Sequence, residues 1–122
     1  MISCWRYLGY LARHKLKVFA WCCLLGVPWR GLLHDLSKLL PDEFFAHAFY
    51  FFGDKLERKS RQTRLDRAWH RHQRRNRHHW SHWVTVDDYG CISAVEMPNR
   101  YIREMVADWA ARGDGDPLKW YI

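Results

Sequence analysis

Apolar positions along the first 25 residues fall at helical spacing. Trp5, Leu8, Leu11 and Ala12, then Leu16, Phe19, Ala20, Cys23 and Leu24, recur every three or four residues, which predicts one long amphipathic helix over about residues 3–25. Gly26-Val27-Pro28 ends it. A short second helix is expected over residues 32–39. Pro41-Asp42-Glu43 then has the proline and acidic residues of a first helical turn, opening a third helix through Phe44, Phe45, Ala48 and Phe52. Residues 53–62 read as a charged connector. Over residues 63–83, Leu65, Ala68, Trp69, His72, Asn76, His79 and Trp83 trace one face of a further helix, and its other faces are almost entirely arginine. Residues 84–97 read as a loop, with room for a short turn or extended piece around Thr85-Val86. A last helix over residues 98–111 starts at Pro98 and has Gly113 beyond its end. No convincing period-two strand interrupts this pattern. The expectation is an all-α fold, a compact bundle of about five helices, with residues 112–122 packing Trp120 and Tyr121 back onto the body.

Composition sets the scale. A chain of 122 residues, 48% hydrophobic and 16% aromatic, can bury one core and is short for two, so residues 1–122 are expected to form a single domain. A net charge of +7 and a pI near 9.5 favour anionic partners, and eight histidines add to that charge in mild acid. The four cysteines have neither CxxC spacing nor the density of a disulfide scaffold, so they read as reduced, mostly buried thiols. The apolar stretch over residues 16–29 contains Lys17, Gly26 and Pro28 and falls short of the roughly 20 apolar residues that span a bilayer. Arg6, Arg13, His14, Lys15 and Lys17 break up any signal-peptide core. The cytoplasm is the expected compartment, with no membrane partner. Eight tryptophans leave a subunit contact, and hence an oligomer, open.

The densest chemistry lies in His34-Asp35-Leu36-Ser37-Lys38. An imidazole beside a carboxylate, with an ammonium one helical turn on, can hold a divalent cation and an anionic oxygen within a few ångströms of each other. His14 upstream and a carboxylate downstream would complete a set of nitrogen and oxygen ligands, which suits Mn, Fe, Zn, Ni or Mg rather than a thiolate-seeking metal. Glu104 and Asp108, one turn apart on the last helix, both qualify as that carboxylate.

A second cluster follows in Ala68-Trp69-His70-Arg71-His72-Gln73-Arg74-Arg75-Asn76-Arg77-His78-His79-Trp80. On a continuous helix His72, Asn76 and His79 share the face that holds Trp69 and Trp83, so these polar groups point inward and need partners. His72 and His79 would stand two turns apart, roughly 10 Å along the axis, too far to grip one ion as a simple pair. One is then available to a second metal and the other to a substrate phosphate. His78 falls off the inward face and is expected to bond a loop.

HDLSK, AWHRHQRRNRHHW and MPNRYIREMVADW together resemble an uncharacterised family of small bacterial and phage proteins that share HDLSK, H-x-x-x-N-x-H-H-W and EMVADW. The order His14, His34-Asp35, Asp108 also resembles the HD superfamily of metal-dependent phosphohydrolases. The first resemblance implies a bacterial cell or phage-infected host, and the second a helical domain hydrolysing phosphomonoesters or phosphodiesters, often of nucleotides. The second also makes Asp108, not Glu104, the closing ligand beside His14, His34 and Asp35.

The activity expected on this reading is attack on phosphorus by a water activated on a divalent metal. Lys38, with His72 or His79, would neutralise charge on the phosphoryl oxygens, while Asn76 and Arg75 would bind substrate. Glu104 is the candidate base or orienter of a ligand histidine. Two other classes compete. Arg58, Lys59, Arg61, Arg64, Arg67, Arg71, Arg74, Arg75 and Arg77, interleaved with Trp69 and Trp80, form a basic band suited to nucleic acid without catalysis. A di-iron HD-type oxygenase would keep the ligands and change the reaction.

Overall fold

The computed structural model describes residues 1–113, so the expected docking of Trp120 and Tyr121 lies outside the described residues. Five helices carry the fold: α1 (Ile2–Leu24), α2 (Pro28–Leu33), α3 (Pro41–Phe52), α4 (Arg58–Arg75) and α5 (Asn99–Arg112). Short 3-10 turns at Leu36–Leu39, Lys55–Glu57 and Trp80–Trp83 join them, and β1 (Val84–Val86) pairs antiparallel with β2 (Ile92–Ala94) in the register Val84 to Ala94. The architecture is all-α, and this hairpin is the one sheet among the described residues. Only its first strand overlaps the extended piece anticipated near Thr85. No described helix is long and apolar enough to cross a membrane.

Helix α1 is the hub, packed against α2, α3 and α5, and α3 in turn carries α4. It ends where Gly26 takes φ +78°, with Gly26 N donating to Cys23 O and Val27 N to Cys22 O, the double closure that glycine permits after a helix. One apolar core joins Val18 and Cys22 of α1 to Val27 and to Ala107 and Ala111 of α5. Buried alanines at these contacts let the helix axes approach closely. A second, aromatic layer sets Tyr7 against Phe44, His47 and Phe52 of α3, at ring separations of 5.1, 6.1 and 5.9 Å.

Three departures from the pattern in the sequence have physical causes. The buried face of α1 is Tyr7, His14, Val18 and Cys22, while Trp5, Leu16 and Leu24 are largely exposed, so the helix is rotated toward a polar interior. Of the helix expected over residues 32–39, only Leu32 and Leu33 are α-helical, as the end of α2, which Pro28 opens four residues earlier; His34 leaves helical geometry, Asp35 takes φ 54° in the left-handed region that Asp tolerates better than most residues, and Leu36–Leu39 is a 3-10 turn. The helix expected over residues 63–83 begins earlier, at Arg58, and stops at Arg75. Asn76 there is extended, and its backbone N and side-chain Nδ2 both donate to His72 O, at 3.0 and 2.9 Å, closing the last turn on one carbonyl.

Candidate metal centre

The site is built on the broken backbone at His34-Asp35. Lys15, reaching across from α1, donates to the carbonyl oxygens of Gly31, Leu32 and His34 at 3.3, 2.6 and 3.1 Å. Those are the terminal carbonyls of α2, which a lysine at a helix C-terminus satisfies electrostatically. The turn that follows points His34 and Asp35 inward together, which adjacent residues of one straight helix cannot do. His34 is 2% exposed and Asp35 8%.

Each of two histidines is gripped from behind by a buried carboxylate. His34 Nδ1 donates to Glu104 Oε1 at 3.1 Å, and His72 Nδ1 donates to Glu43 Oε2 at 2.8 Å. Arg30 Nε in turn donates to Glu104 Oε2 at 2.6 Å, and Ser37 Oγ donates to Glu43 at 2.9 Å. With Nδ1 carrying the proton, Nε2 of each ring presents its lone pair to the interior. Those lone pairs converge on one carboxylate. Asp35 Oδ2 lies 3.3 Å from His34 Nε2, while Asp35 Oδ1 lies 3.3 Å from His72 Nε2 and 3.2 Å from His78 Nε2.

The end of α4 at Asn76 overturns the expected spacing of its histidines. Chain reversal after Arg75 folds His78 and His79 back over His72, so the His72 and His79 rings lie 4.9 Å apart instead of two helical turns. His78, expected off the inward face, is 1% exposed and central, its Nδ1 3.2 Å from Glu104 Oε1 and its Nε2 3.7 Å from Asp108 Oδ2. From α1, His14 Nε2 meets Asp108 Oδ1 at 2.8 Å.

Three overlapping sets of groups can therefore hold a metal ion: Asp35, His72, His78 and His79; His14, His34 and Asp35; and His34, His78 and Asp108. In each set the ligand atoms lie within 4.8 Å of one another. Donors bonded to one ion at 2.0–2.2 Å stand roughly 3.0–3.5 Å apart in octahedral or tetrahedral geometry, which matches the separations around Asp35. The buried His34, His72, His78 and His79 Nε2 atoms and both Asp35 oxygens lack a hydrogen bond of good geometry among the described residues. Lys38 Nζ forms an ion pair with Asp35 Oδ2 at 2.7 Å. A lone pair facing a carboxylate oxygen at 3.2 Å is repulsive unless a proton or a cation lies between them.

Proton affinities in the metal-free cluster reflect that crowding. Burial opposes the charged form of Asp35, but Lys38, His34 and His72 outweigh it and hold the carboxyl well below its usual range. Asp108 behaves likewise, through His14 and His34 against burial. Burial also works against ionised Glu104, yet bonds from His34 and His78 bring it down to about 2. For His34, burial is outweighed by Asp35, Asp108 and Glu104, which raise it to about 9. Burial, reinforced by His78 and His72, lowers His79 to about 3 and leaves it a neutral donor.

The other residues singled out in the sequence occupy supporting positions. Lys38 is buried on Asp35. Asn76 Nδ2 donates to Ser37 Oγ at 2.7 Å and so ties the end of α4 to the HDLSK turn. Arg75 lies behind His72, its NH1 donating to Glu43 Oε1 at 2.9 Å and its NH2 to Asp42 Oδ2 at 2.9 Å. Glu43, fully buried, had only the look of a first-turn acid, and Arg30 and Ser37 carried no signal of their own. Buried His47 was equally silent; its Nδ1 donates to Glu43 O at 2.7 Å. Of the metal-holding groups only His78 was misplaced, and its one visible mark in the sequence was the doublet His78-His79.

Fold and site together define an all-α protein with a buried histidine and carboxylate cluster able to hold metal ions. Residues 3–117 match a family described as a family of unknown function (DUF5662), and the chain belongs to that family. No curated protein and no solved structure matches the chain.

Proposed function

We propose that this protein is a metal-dependent phosphohydrolase acting on a nucleotide or related phosphate ester, in keeping with its HD-superfamily resemblance. The observation that carries this reading is the convergence of His34, His72 and His78 Nε2 on the two oxygens of Asp35. Asp35 Oδ2 faces His34 while Oδ1 faces His72 and His78, and the residues that would hold metal are Asp35 with His72, His78 and His79, Asp35 with His14 and His34, and Asp108 with His34 and His78. A divalent metal held there would supply a Lewis acid for a phosphoryl oxygen and a water of near-neutral pKa.

The chain's own residues do the rest. Glu104 and Glu43 keep the Nδ1 protons of His34 and His72, fixing ring orientation and directing both Nε2 atoms inward. Lys38 brings a buried ammonium to the same carboxylate and can neutralise charge on an arriving phosphoryl group, a stronger effect where water is excluded. Arg112 holds Asp108 through Nε at 3.2 Å and NH2 at 3.4 Å, keeping that carboxylate turned toward His14.

The test is elemental analysis of protein purified without a histidine tag, for wild type and for His34→Ala combined with Asp35→Ala, alongside a screen of phosphate esters with and without chelator. Near-stoichiometric Mn, Fe, Zn, Ni or Mg in wild type alone, with chelator-sensitive hydrolysis, supports the reading. Negligible metal in both proteins, even after incubation with excess divalent ions, overturns it. Bound iron with a charge-transfer colour and no hydrolysis favours the oxygenase. As for nucleic acid, Arg61 pairs with Glu57, and Arg71 and Arg75 pair with Asp42, so part of the α4 band is already neutralised. Affinity through the remainder would fall steeply with salt.

A further inference from the structure

A cleft of about 480 Å³ opens beside the ligand cluster, between α1, α3 and α4. That volume suits a drug-sized ligand. Its walls are aromatic: Tyr7 and Tyr10 from α1, Phe51 and Phe52 from α3, and Trp69 from α4. Two of these rings also lie on cluster histidines. Tyr10 stacks on His14 with 5.9 Å between centroids and 3° between planes, and Trp69 stacks on His72 at 5.5 Å and 22°. Because His14 and His72 belong to different ligand sets, the cleft is anchored to both of them. Lys38 lines it too, linking the aromatic walls to Asp35.

Besides Lys38, the charged and polar lining comprises Arg112, His47, Asp66 and the tyrosine hydroxyls. Tyr7 is 2% exposed, and its hydroxyl has no hydrogen-bond partner among the described residues. A buried hydroxyl of this kind is a donor awaiting an acceptor. At the exposed face of α4, Asp66 also lines the cleft, its Oδ1 accepting from Gln62 Nε2 at 2.8 Å, which orients the carboxylate. A flat ring system stacks on such walls whatever its identity. A carboxylate, by contrast, accepts only from N–H or O–H groups and repels carbonyl oxygens.

We infer that this cleft holds the base of a nucleotide-type phosphate ester, its phosphoryl group directed at Lys38, and that Asp66 selects bases presenting N–H donors, guanine above all. Guanine offers two adjacent donors to one carboxylate, whereas uracil flanks its single ring N–H with carbonyls. The Tyr7 hydroxyl donates to an oxygen of the bound ester. The direction of the phosphoryl group rests on the phosphohydrolase reading; base recognition does not.

The experiment is titration calorimetry on the intact protein with guanosine, adenosine, cytidine, uridine and ribose 5-phosphate, for wild type, Asp66→Asn, Trp69→Phe and Trp69→Ala. Guanosine should bind wild type more tightly than uridine by roughly tenfold or more, the value of a charged hydrogen bond. Asp66→Asn, a change at an exposed helical position, should erase that preference while circular dichroism stays the same. Trp69→Phe should keep binding and Trp69→Ala should weaken it for every nucleoside. Equal affinity for guanosine and uridine, or binding of ribose 5-phosphate alone, overturns the assignment. A wild type that prefers guanosine yet hydrolyses no ester with any metal sinks the hydrolase and leaves the cleft assignment standing. Hydrolysis of ribose 5-phosphate as fast as of nucleotides does the reverse.

Discussion

His34 and Glu104, separated by 70 positions in the chain, meet through an Nδ1 to Oε1 hydrogen bond of 3.1 Å in which neither side chain is more than 2% exposed. That contact decides which nitrogen of His34 faces Asp35, and bonds from His34 and His78, joined by Arg30 on the far oxygen, keep the Glu104 carboxylate charged against burial.

Replacing Glu104 tests the contact directly. Glu104→Gln keeps the shape but weakens the hold on His34, and metal affinity should fall by roughly 10–100-fold in a chelator-competition titration. Glu104→Ala also leaves Arg30 and His34 without their acceptor. It should cost about 3–5 kcal/mol in urea unfolding, the usual result of removing one partner of a buried charged pair.

His78 and His70 make a paired test of the break at Asn76. His78 is 1% exposed and faces Asp35, whereas His70 is exposed on α4 and accepts from Arg74 Nε at 3.2 Å. His78→Ala should lose bound metal by elemental analysis, and His70→Ala should retain all of it. Equal loss from both variants would contradict the placement of His78.

The metal-free protein should lose stability as pH rises. His34 goes from 6.5 to about 9 on folding, because Asp35, Asp108 and Glu104 outweigh burial. A raised pKa contributes stability that is complete below the unfolded value and disappears as pH climbs through the folded one. Urea unfolding in the presence of chelator should therefore show a weaker protein at about pH 9.5 than at about pH 6. Added metal should reverse the trend, since metal competes with protons for the same nitrogen and binds better as they leave.

Gly31 couples α2 to the site through packing. A Cβ there would meet Phe19 Cα at 2.8 Å and Cys22 Cβ at 3.0 Å, both on α1. Gly31→Ala must push α2 away, and with it the turn that Lys15 holds around His34. Thermal unfolding should show a loss of about 1–3 kcal/mol, with metal binding weakened in parallel.

Local chemistry alone marked α1, α3, α4 and α5, the stop after Leu25 and the acidic, proline-led start of α3, because spacing, capping residues and proline act over a few neighbouring positions; it set the second helix at residues 32–39, whereas α2 is Pro28–Leu33. The same local reading picked out His14, His34 and Asp35, since their residue types stand in the chain itself, and left Glu104 and Asp108 as alternatives between which only the family resemblance chose. It could not rotate α1 so that His14, not Leu16, faced inward, because an apolar stripe records hydrophobicity and this interior is polar. It extended α4 through Asn76, where bonds from that side chain to His72 O and Ser37 Oγ end the helix. Only tertiary structure put His78 beside Asp35, Glu43 behind His72 and Glu104 behind His34. Those contacts join residues 29 to 94 positions apart once the His14–Asp108 pair is included, and no short-range pattern encodes a partner at such distance. What selects them is the cost of burying a charged or polar group without a partner, and that cost exists only after the helices have come together.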